Sequence, residues 1–202
     1  MKTKTFYKML KLSTLKSLAV GSSTKNKTTY EEQIQMWTER ALIKIYTDLN
    51  LSAGIIRVYK NEEESLYDMP EDYMQIITAT RPDGELCPVN KSDRLDSIYT
   101  PEQKKVMLPS MYDDTWVDII YQKVPVSVTL KGEEDFPLQP QYIEAIILYV
   151  SYIAYELIHG VPNWEHQSYL TKYEKAINDL KANGLTGNSG IVNQKIHYKG
   201  FV

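Results

Sequence analysis

The alternation of hydrophobic and polar residues along the chain predicts both strands and helices. Val117, Ile119 and Tyr121 recur at period two with Asp118 on the opposite side, which is the pattern of a half-buried strand. A second segment rich in β-branched residues ends at Arg81-Pro82-Asp83-Gly84, a sequence typical of a hairpin turn. The strands predicted in this way cover residues 55–59, 73–80, 86–89, 116–121 and 126–130.

Helical spacing and capping signals predict three main helices and one short helix. Thr29-Tyr30-Glu31-Glu32 has the form of a capping box, and apolar residues recur at helical spacing after it. Thr100-Pro101-Glu102-Gln103 is a second capping box, with proline at the first helical position. The predicted helices cover residues 29–51, 100–108, 140–158 and 163–183.

The helix predicted over residues 140–158 is apolar over most of its circumference. One stripe begins at Ile143, and Tyr149 and Tyr152 lie on an adjacent face. Such a helix must be covered on more than one side, either by its own domain or by another subunit. The residues predicted to form a subunit interface are Tyr142, Tyr149, Tyr152, Tyr155, Trp116 and Trp164.

Tyrosine is unusually frequent, with 16 Tyr against 3 Phe. Its apolar ring and polar hydroxyl suit surfaces that are buried on assembly and hydrated before it. Compositional drift explains the same count equally well, so tyrosine alone does not decide between an interface and a core.

Residues 1–28 contain seven lysines and no acidic residue, although the whole chain has a net charge of −3. We expect this arm to order only against a partner. Apolar residues interleave with the lysines, which favours docking onto a protein over contact with phosphates. The predicted docking residues of the two chain ends are Phe6, Tyr7, Leu10, Lys11 and Leu15, together with Ile191, Val192, Ile196 and Tyr198.

The sequence contains no recognisable catalytic constellation, so we expect a protein that is not an enzyme and binds no cofactor or metal. Cys87 is the single cysteine, and phosphate-binding and nucleophile motifs are absent from the sequence. Three acidic clusters, residues 62–64, 113–114 and 133–135, provide carboxylates, but runs of like charge in loops are usually solvated. Glu133, Glu134 and Asp135 are predicted to face a channel, where they would repel nucleic acid.

These patterns predict an α+β protein: a helical bundle with a small antiparallel β region and extended arms at both ends. The expected organisation is a basic N-terminal arm (residues 1–28), a core domain (29–183) and an extended C-terminal tail (184–202). Glu144 and Glu156 interrupt the apolar helix, which is also short for a membrane span, so no membrane partner is expected.

The order of these elements resembles the head-to-tail connector (adaptor) proteins of tailed phages. The similarity is carried by the capped first helix, the Asp68-x-Pro70-Glu71-Asp72 turn, the strand ending at Tyr121, and the helix pair around Gly160. Over residues 29–183 the chain is most similar to the ring-forming adaptors of short-tailed phages, with the crAss-like group as one candidate.

The resemblance implies a structural virion protein of the neck or tail region, assembled in the host cytoplasm. Such a subunit forms a ring, typically of twelve copies, and docks between the portal protein and an adjacent tail or ring protein. Double-stranded DNA passes through the ring during ejection without being read. One alternative is an accessory nucleic-acid-binding protein that uses the lysine-rich arm to neutralise phosphates. Another is a small hydrolase or nuclease that uses the acidic loops and depends on a metal.

Overall fold

A computed structural model describes residues 1–13, 15, 27–61, 65–110, 116–129, 132–159 and 164–187. The chain divides into two compact units. We call the first the helical unit, which comprises Met1–Leu49 and Pro125–Val202. The second is the β unit, Asn50–Val124.

The described part of the helical unit contains four α-helices and one short 3₁₀ helix. Helix α3 packs against both α2 and α4. None of the described helices is long and apolar enough to cross a membrane. The α-helices are α1 (Thr3–Leu12), α2 (Lys27–Leu49), α3 (Ile143–His159) and α4 (Trp164–Ala182), and the 3₁₀ helix Pro140–Tyr142 directly precedes α3.

The apolar stripe of α2 forms the centre of the helical unit. Ile34, Trp37, Ala41 and Ile45 are all buried, which confirms the helical spacing read from the sequence. Their side chains occupy one face of the helix because positions three and four apart lie one above the other.

Six strands build the β unit in two antiparallel sheets. The four-stranded sheet has the order β1-β6-β3-β4, and β2 pairs with β5 in a separate two-stranded sheet. The first strand therefore lies at an edge, beside the sixth. The strands are β1 (Ala53–Tyr59), β2 (Leu66–Asp68), β3 (Tyr73–Thr80), β4 (Leu86–Cys87), β5 (Lys105–Met107) and β6 (Trp116–Lys123).

One face of the four-stranded sheet covers the core of the β unit. Val58, Val117, Ile119 and Tyr121 belong to this core, into which the lone Cys87 also packs. Alternate residues of each strand point to the opposite face, as the pleat of a sheet requires. The strands predicted over residues 55–59, 73–80 and 116–121 and the hairpin are thus confirmed, whereas the strand predicted over residues 86–89 ends at Cys87.

The predicted fold class is wrong, because the described chain is a mixed α and β structure in which a helical bundle is not evident. The β part is a compact unit with its own core rather than a small insertion. The sequence pattern predicts too small a β part because strands β2 and β5 have only three residues each, which is too short for an alternating pattern to be seen.

Two further predicted elements are also wrong. The capping box at Thr100 begins no helix, and strand β5 lies within the predicted range. Lys104 has φ of 59°, outside the helical region, so the backbone turns instead. Residues 126–129, predicted to belong to a strand, are described but form no regular element.

The N-terminal segment also differs from the expected arm. Helix α1 belongs to the helical unit and buries Thr3, Phe6, Tyr7 and Leu10 along one face. The apolar residues between the lysines are spaced so that they share a face, and this stripe packs within the chain's own unit.

Candidate functional site on the outer sheet face

The four-stranded sheet has a second, solvent-facing side that is rich in apolar and aromatic residues. In β1, Val58 points to the core, whereas Ile55 and Tyr59 are 69% and 63% exposed. Leu86 of β4 is 56% exposed. Large apolar side chains usually lie inside a protein, so an exposed group of them on one sheet marks a candidate interaction surface.

Strand register shows that these residues share a face. Ile55 is paired with Ile120 of β6, and Tyr59 is paired with Trp116. At the other side of the sheet Leu86 is paired with Thr80 of β3. Directly paired residues of antiparallel strands place their side chains on the same side. We call the surface formed by these six residues and the Arg57–Asp118 pair the outer sheet face.

An ion pair lies at the centre of the outer sheet face. Arg57 donates from Nε to Asp118 Oδ1 at 2.7 Å and from an Nη to Oδ2 at 2.9 Å. Its guanidinium also stacks over the Trp116 ring, 3.7 Å from the centroid. The hydrogen bond to Asp118 raises the pKa of Arg57 above its usual value. Arg57 is thus held flat against the sheet, where its charge is matched by Asp118.

The outer sheet face ends at an edge strand. Strand β1 pairs with β6 in an unbroken register from Ala53 to Tyr59, and no other strand of the described chain pairs with it. An edge strand presents unpaired backbone donors and acceptors. The surface therefore combines exposed apolar side chains with main-chain groups that another strand can bind.

The tyrosines predicted to lie at a subunit interface contact one another inside the helical unit. The Tyr149 ring lies 4.9 Å from that of Tyr173 and 5.6 Å from that of Tyr152, measured between centroids. The rings of Tyr155 and Tyr169 are 5.2 Å apart. This second face of α3 is therefore covered by α4 of the same unit, which is the alternative that the sequence had left open.

The other predicted interface residues lie in three different places. The hydroxyl of buried Tyr142 donates to the carbonyl oxygen of Leu185 at 3.3 Å. Trp116 belongs to the outer sheet face. The side chain of Trp164 is outside the described part of the chain.

The predicted docking residues of the N-terminal arm pack within the helical unit. Phe6 and Leu10 are fully buried, and Tyr7 and Leu15 are nearly so. Lys11 Nζ lies 4.4 Å from the centroid of the Tyr7 ring. The predicted docking residues of the tail, Ile191, Val192, Ile196 and Tyr198, lie outside the described residues.

The basic arm and the acidic loop, predicted to have separate roles, pair with each other. Lys4 Nζ lies 2.5 Å from Glu133 Oε1, and Lys2 Nζ lies 3.2 Å from Asp135 Oδ1. The carbonyl oxygen of Glu134 accepts two hydrogen bonds from Thr3 of α1, one from its backbone N–H at 3.1 Å and one from its hydroxyl at 2.8 Å. The carboxylates of Glu133 and Asp135 therefore face lysines of the same unit, whereas Glu134 Oε1 accepts a hydrogen bond from the Thr129 N–H at 3.1 Å.

A separate cleft of about 890 Å³ lies within the β unit, and Asp72 is one of its lining residues. The Tyr121 hydroxyl donates to Asp72 Oδ1 at 3.0 Å, and Lys123 Nζ lies 3.2 Å from Asp72 Oδ2. Burial raises the pKa of Asp72, but the bonds from Tyr121 and Lys123 together outweigh it and hold that pKa below its usual value. No group of three or more potential metal ligands occurs among the described residues.

Sequence reasoning missed most of the outer sheet face. The signal was present in residues 55–59, where Ile55, Arg57 and Tyr59 alternate with Ile56 and Val58. Both sets contain apolar residues, so the alternation does not show which side of the strand faces a core.

Neither the models of known protein families nor the curated proteins include a match to this sequence.

Proposed function

We propose that the chain is a structural subunit that assembles with copies of itself into a ring. Its role in this proposal is that of a head-to-tail connector, docked between the portal protein and an adjacent tail or ring protein of a phage particle, around the passage for DNA. The observation that carries the proposal is the outer sheet face, where Ile55, Tyr59 and Leu86 are more than half exposed.

Assembly gives a physical reason for this surface. Burying apolar area yields roughly 25 cal/mol per Å², so several large side chains on one sheet favour association once a complementary surface is present. The Arg57–Asp118 pair is compatible with burial because Asp118 binds Arg57 through two hydrogen bonds. In a ring, each subunit makes a head-to-tail contact through two different surfaces, of which the outer sheet face is one.

The alternative function, nucleic-acid binding by the lysine arm, has less support. Lys2, Lys4 and Lys11 lie within 4.0 Å of carboxylates of the helical unit. Phosphate binding through these lysines would have to compete with contacts that already exist. Salt-sensitive DNA binding that disappears on deletion of residues 1–28 would nevertheless favour this function.

Light scattering after size-exclusion chromatography tests the proposal, with a portal protein present in a parallel sample. We expect the full chain to have a mass of several subunits, alone or with the portal. The double substitution Ile55→Asp/Tyr59→Asp should reduce this mass. Leu95→Asp is the matched control, because Leu95 is 92% exposed in the same unit but is not part of the outer sheet face.

A chain that remains monomeric at all concentrations and never joins a portal would overturn the proposal. Equal loss of mass in the Leu95→Asp control would show that added charge, rather than the outer sheet face, decides assembly.

A further inference from the structure

We propose that the free edge of β1 binds residues 191–198 of a second copy of the chain as an additional strand. This inference rests on the proposed function, since it names the segment by which one subunit holds its neighbour. Four observations support it: the direction of the backbone groups of β1, the lack of edge protection, a groove beside the strand, and the pattern of the segment.

The backbone groups of alternate β1 residues point to the free edge. Lys123 N–H donates to the Ser52 carbonyl at 3.1 Å, immediately before the paired region. Hydrogen-bonded pairs alternate with non-bonded pairs in an antiparallel ladder, so Gly54, Ile56 and Val58 exchange bonds with β6. The N–H and C=O groups of the odd-numbered residues, among them Ile55 and Arg57, are therefore directed away from β6.

Strand β1 lacks three features that often protect a sheet edge from pairing, namely proline, lysine and a bulge. Its sequence, Ala-Gly-Ile-Ile-Arg-Val-Tyr, contains no proline or lysine, and its register with β6 has no bulge. The single charged residue, Arg57, is bound by Asp118 on the outer sheet face. An unprotected edge of seven residues is long enough for one strand of ordinary length.

A groove of about 470 Å³ runs beside this edge within the β unit. Four consecutive residues of β1, 56–59, line one wall, and residues 66–68 of β2 line the other. Because side chains of a strand alternate between its two faces, a groove that touches four in succession follows the edge of the strand. Lys105 also contributes to the lining.

The C-terminal segment has the pattern of a strand with one mainly apolar side. Val192, Ile196 and Tyr198 fall on one side at period two, interrupted by Gln194. Asn193, Lys195 and His197 fall on the other side, together with Ile191. When the segment is placed beside β1, its apolar side continues the outer sheet face next to Ile55 and Tyr59. An added strand thereby gains both main-chain hydrogen bonds and apolar contacts.

The length of the segment agrees with this placement. Its eight residues extend over about 26 Å, which is enough to lie along the seven residues of β1. The side of the segment that carries Asn193 and Lys195 then faces the groove, where the exposed carboxylate of Asp68 is paired with Lys105 Nζ at 3.2 Å.

Substitutions at Ile55 in the full chain separate main-chain pairing from side-chain contact. Ile55→Pro removes an edge donor but no hydrogen bond to β6, and we expect it to weaken self-association at least tenfold. Ile55→Thr keeps the donor and should weaken association less. Circular dichroism of both variants verifies the fold. If both variants are folded and Ile55→Pro weakens self-association no more than Ile55→Thr does, main-chain pairing is overturned.

Disulfide trapping identifies the occupant. Two differently tagged full chains, one with Tyr59→Cys and the other with Ile196→Cys, are mixed and oxidised. We expect a cross-linked product that contains both tags, and a smaller yield when Asn193→Cys replaces Ile196→Cys, because Asn193 lies on the other side of the segment. A chain that carries both Tyr59→Cys and Ile196→Cys and cross-links only within itself would overturn the second copy as occupant.

Tail substitutions distinguish this inference from the proposed function. Val192→Asp/Ile196→Asp should lower the mass of the assembly, whereas Asn193→Asp/His197→Asp on the polar side should lower it less. An assembly that is unchanged by Val192→Asp/Ile196→Asp overturns the inference and leaves the proposed function intact. A chain that is monomeric without any substitution overturns both.

Discussion

The rings of Phe6 and Phe136 stack with their centroids 4.3 Å apart and their planes 28° from parallel. This contact joins α1 to the loop that precedes α3, and the backbone N–H of Phe136 donates to the carbonyl of Met1 at 2.8 Å. The first helix is therefore a packed part of the helical unit, although its lysines and lack of acidic residues suggested a separate arm.

The Phe6 contact predicts that α1 contributes to stability. Phe6→Ala should lower the free energy of unfolding by about 3 kcal/mol or more, because Phe6 is fully buried against another ring. Met9→Ala, in the same helix but 42% exposed, should cost less than about 1 kcal/mol. Urea denaturation followed by circular dichroism measures both, and equal costs would contradict packing of α1 in the monomer.

The tyrosine contacts of α3 predict that its second face matters for folding more than for assembly. Tyr149→Asp should destabilise the chain by about 2 kcal/mol or more, because it places a charge against Tyr173 and Tyr152. Leu157→Asp, at a 56% exposed position of the same helix, is the control and should be nearly neutral. A Tyr149→Asp variant with unchanged stability but reduced mass would instead indicate a subunit interface.

The bond between Tyr173 and Asp48 predicts a loss of stability at high pH. The hydroxyl donates to Asp48 Oδ2 at 2.7 Å, and burial together with this bond raises the pKa of Tyr173 above its usual value of 10. Above about pH 10 the unfolded chain releases this proton while the folded chain retains it, so the stabilisation is complete below pH 10 and decreases above it.

Tyr173→Phe tests this prediction by removing the hydroxyl. The variant should lose about 1–2 kcal/mol at pH 8 and show a shallower decline of stability from about pH 9 to 11. Urea denaturation across this pH range measures the wild type and the variant, and parallel profiles for the two would contradict the assignment.

The absence of a side chain at Gly54 predicts a steric requirement in the sheet. Gly54 is paired with Tyr121, whose ring covers it, and a Cβ at Gly54 would lie 2.6 Å from the Tyr121 hydroxyl oxygen. Gly54→Ala should therefore cost about 1–3 kcal/mol of stability. In a Gly54→Ala/Tyr121→Leu double variant the combined cost should be smaller than the sum of the single costs, as urea denaturation can show. Additive costs would mean that the two residues do not interfere.

Long periodic segments were predictable because their side chains repeat over several turns or pleats. The stripe Ile34, Trp37, Ala41 and Ile45 specifies the buried face of α2 without further information. The alternation over residues 116–121 and the turn at residues 81–84 likewise predict β6 and the β3–β4 hairpin. In these segments local propensity and hydrophobic pattern agree.

Short elements and the destination of each apolar face were not predictable. Strands β2 and β5 have three residues each and form because they pair with each other. The Thr100 capping box is a local signal that the β5 pairing overrides, since a weak helical preference yields to tertiary contacts.

The sequence by itself determined which segments are amphipathic, where the strongest turns occur, and that the chain carries more apolar helical surface than one face requires. Only the tertiary structure decided what covers each apolar face: α4 covers the tyrosines of α3, residues 133–136 contact α1, and the outer face of the sheet remains exposed. The physical reason is that burial depends on contacts between residues distant in the chain, whereas a periodic pattern records only that a face is apolar.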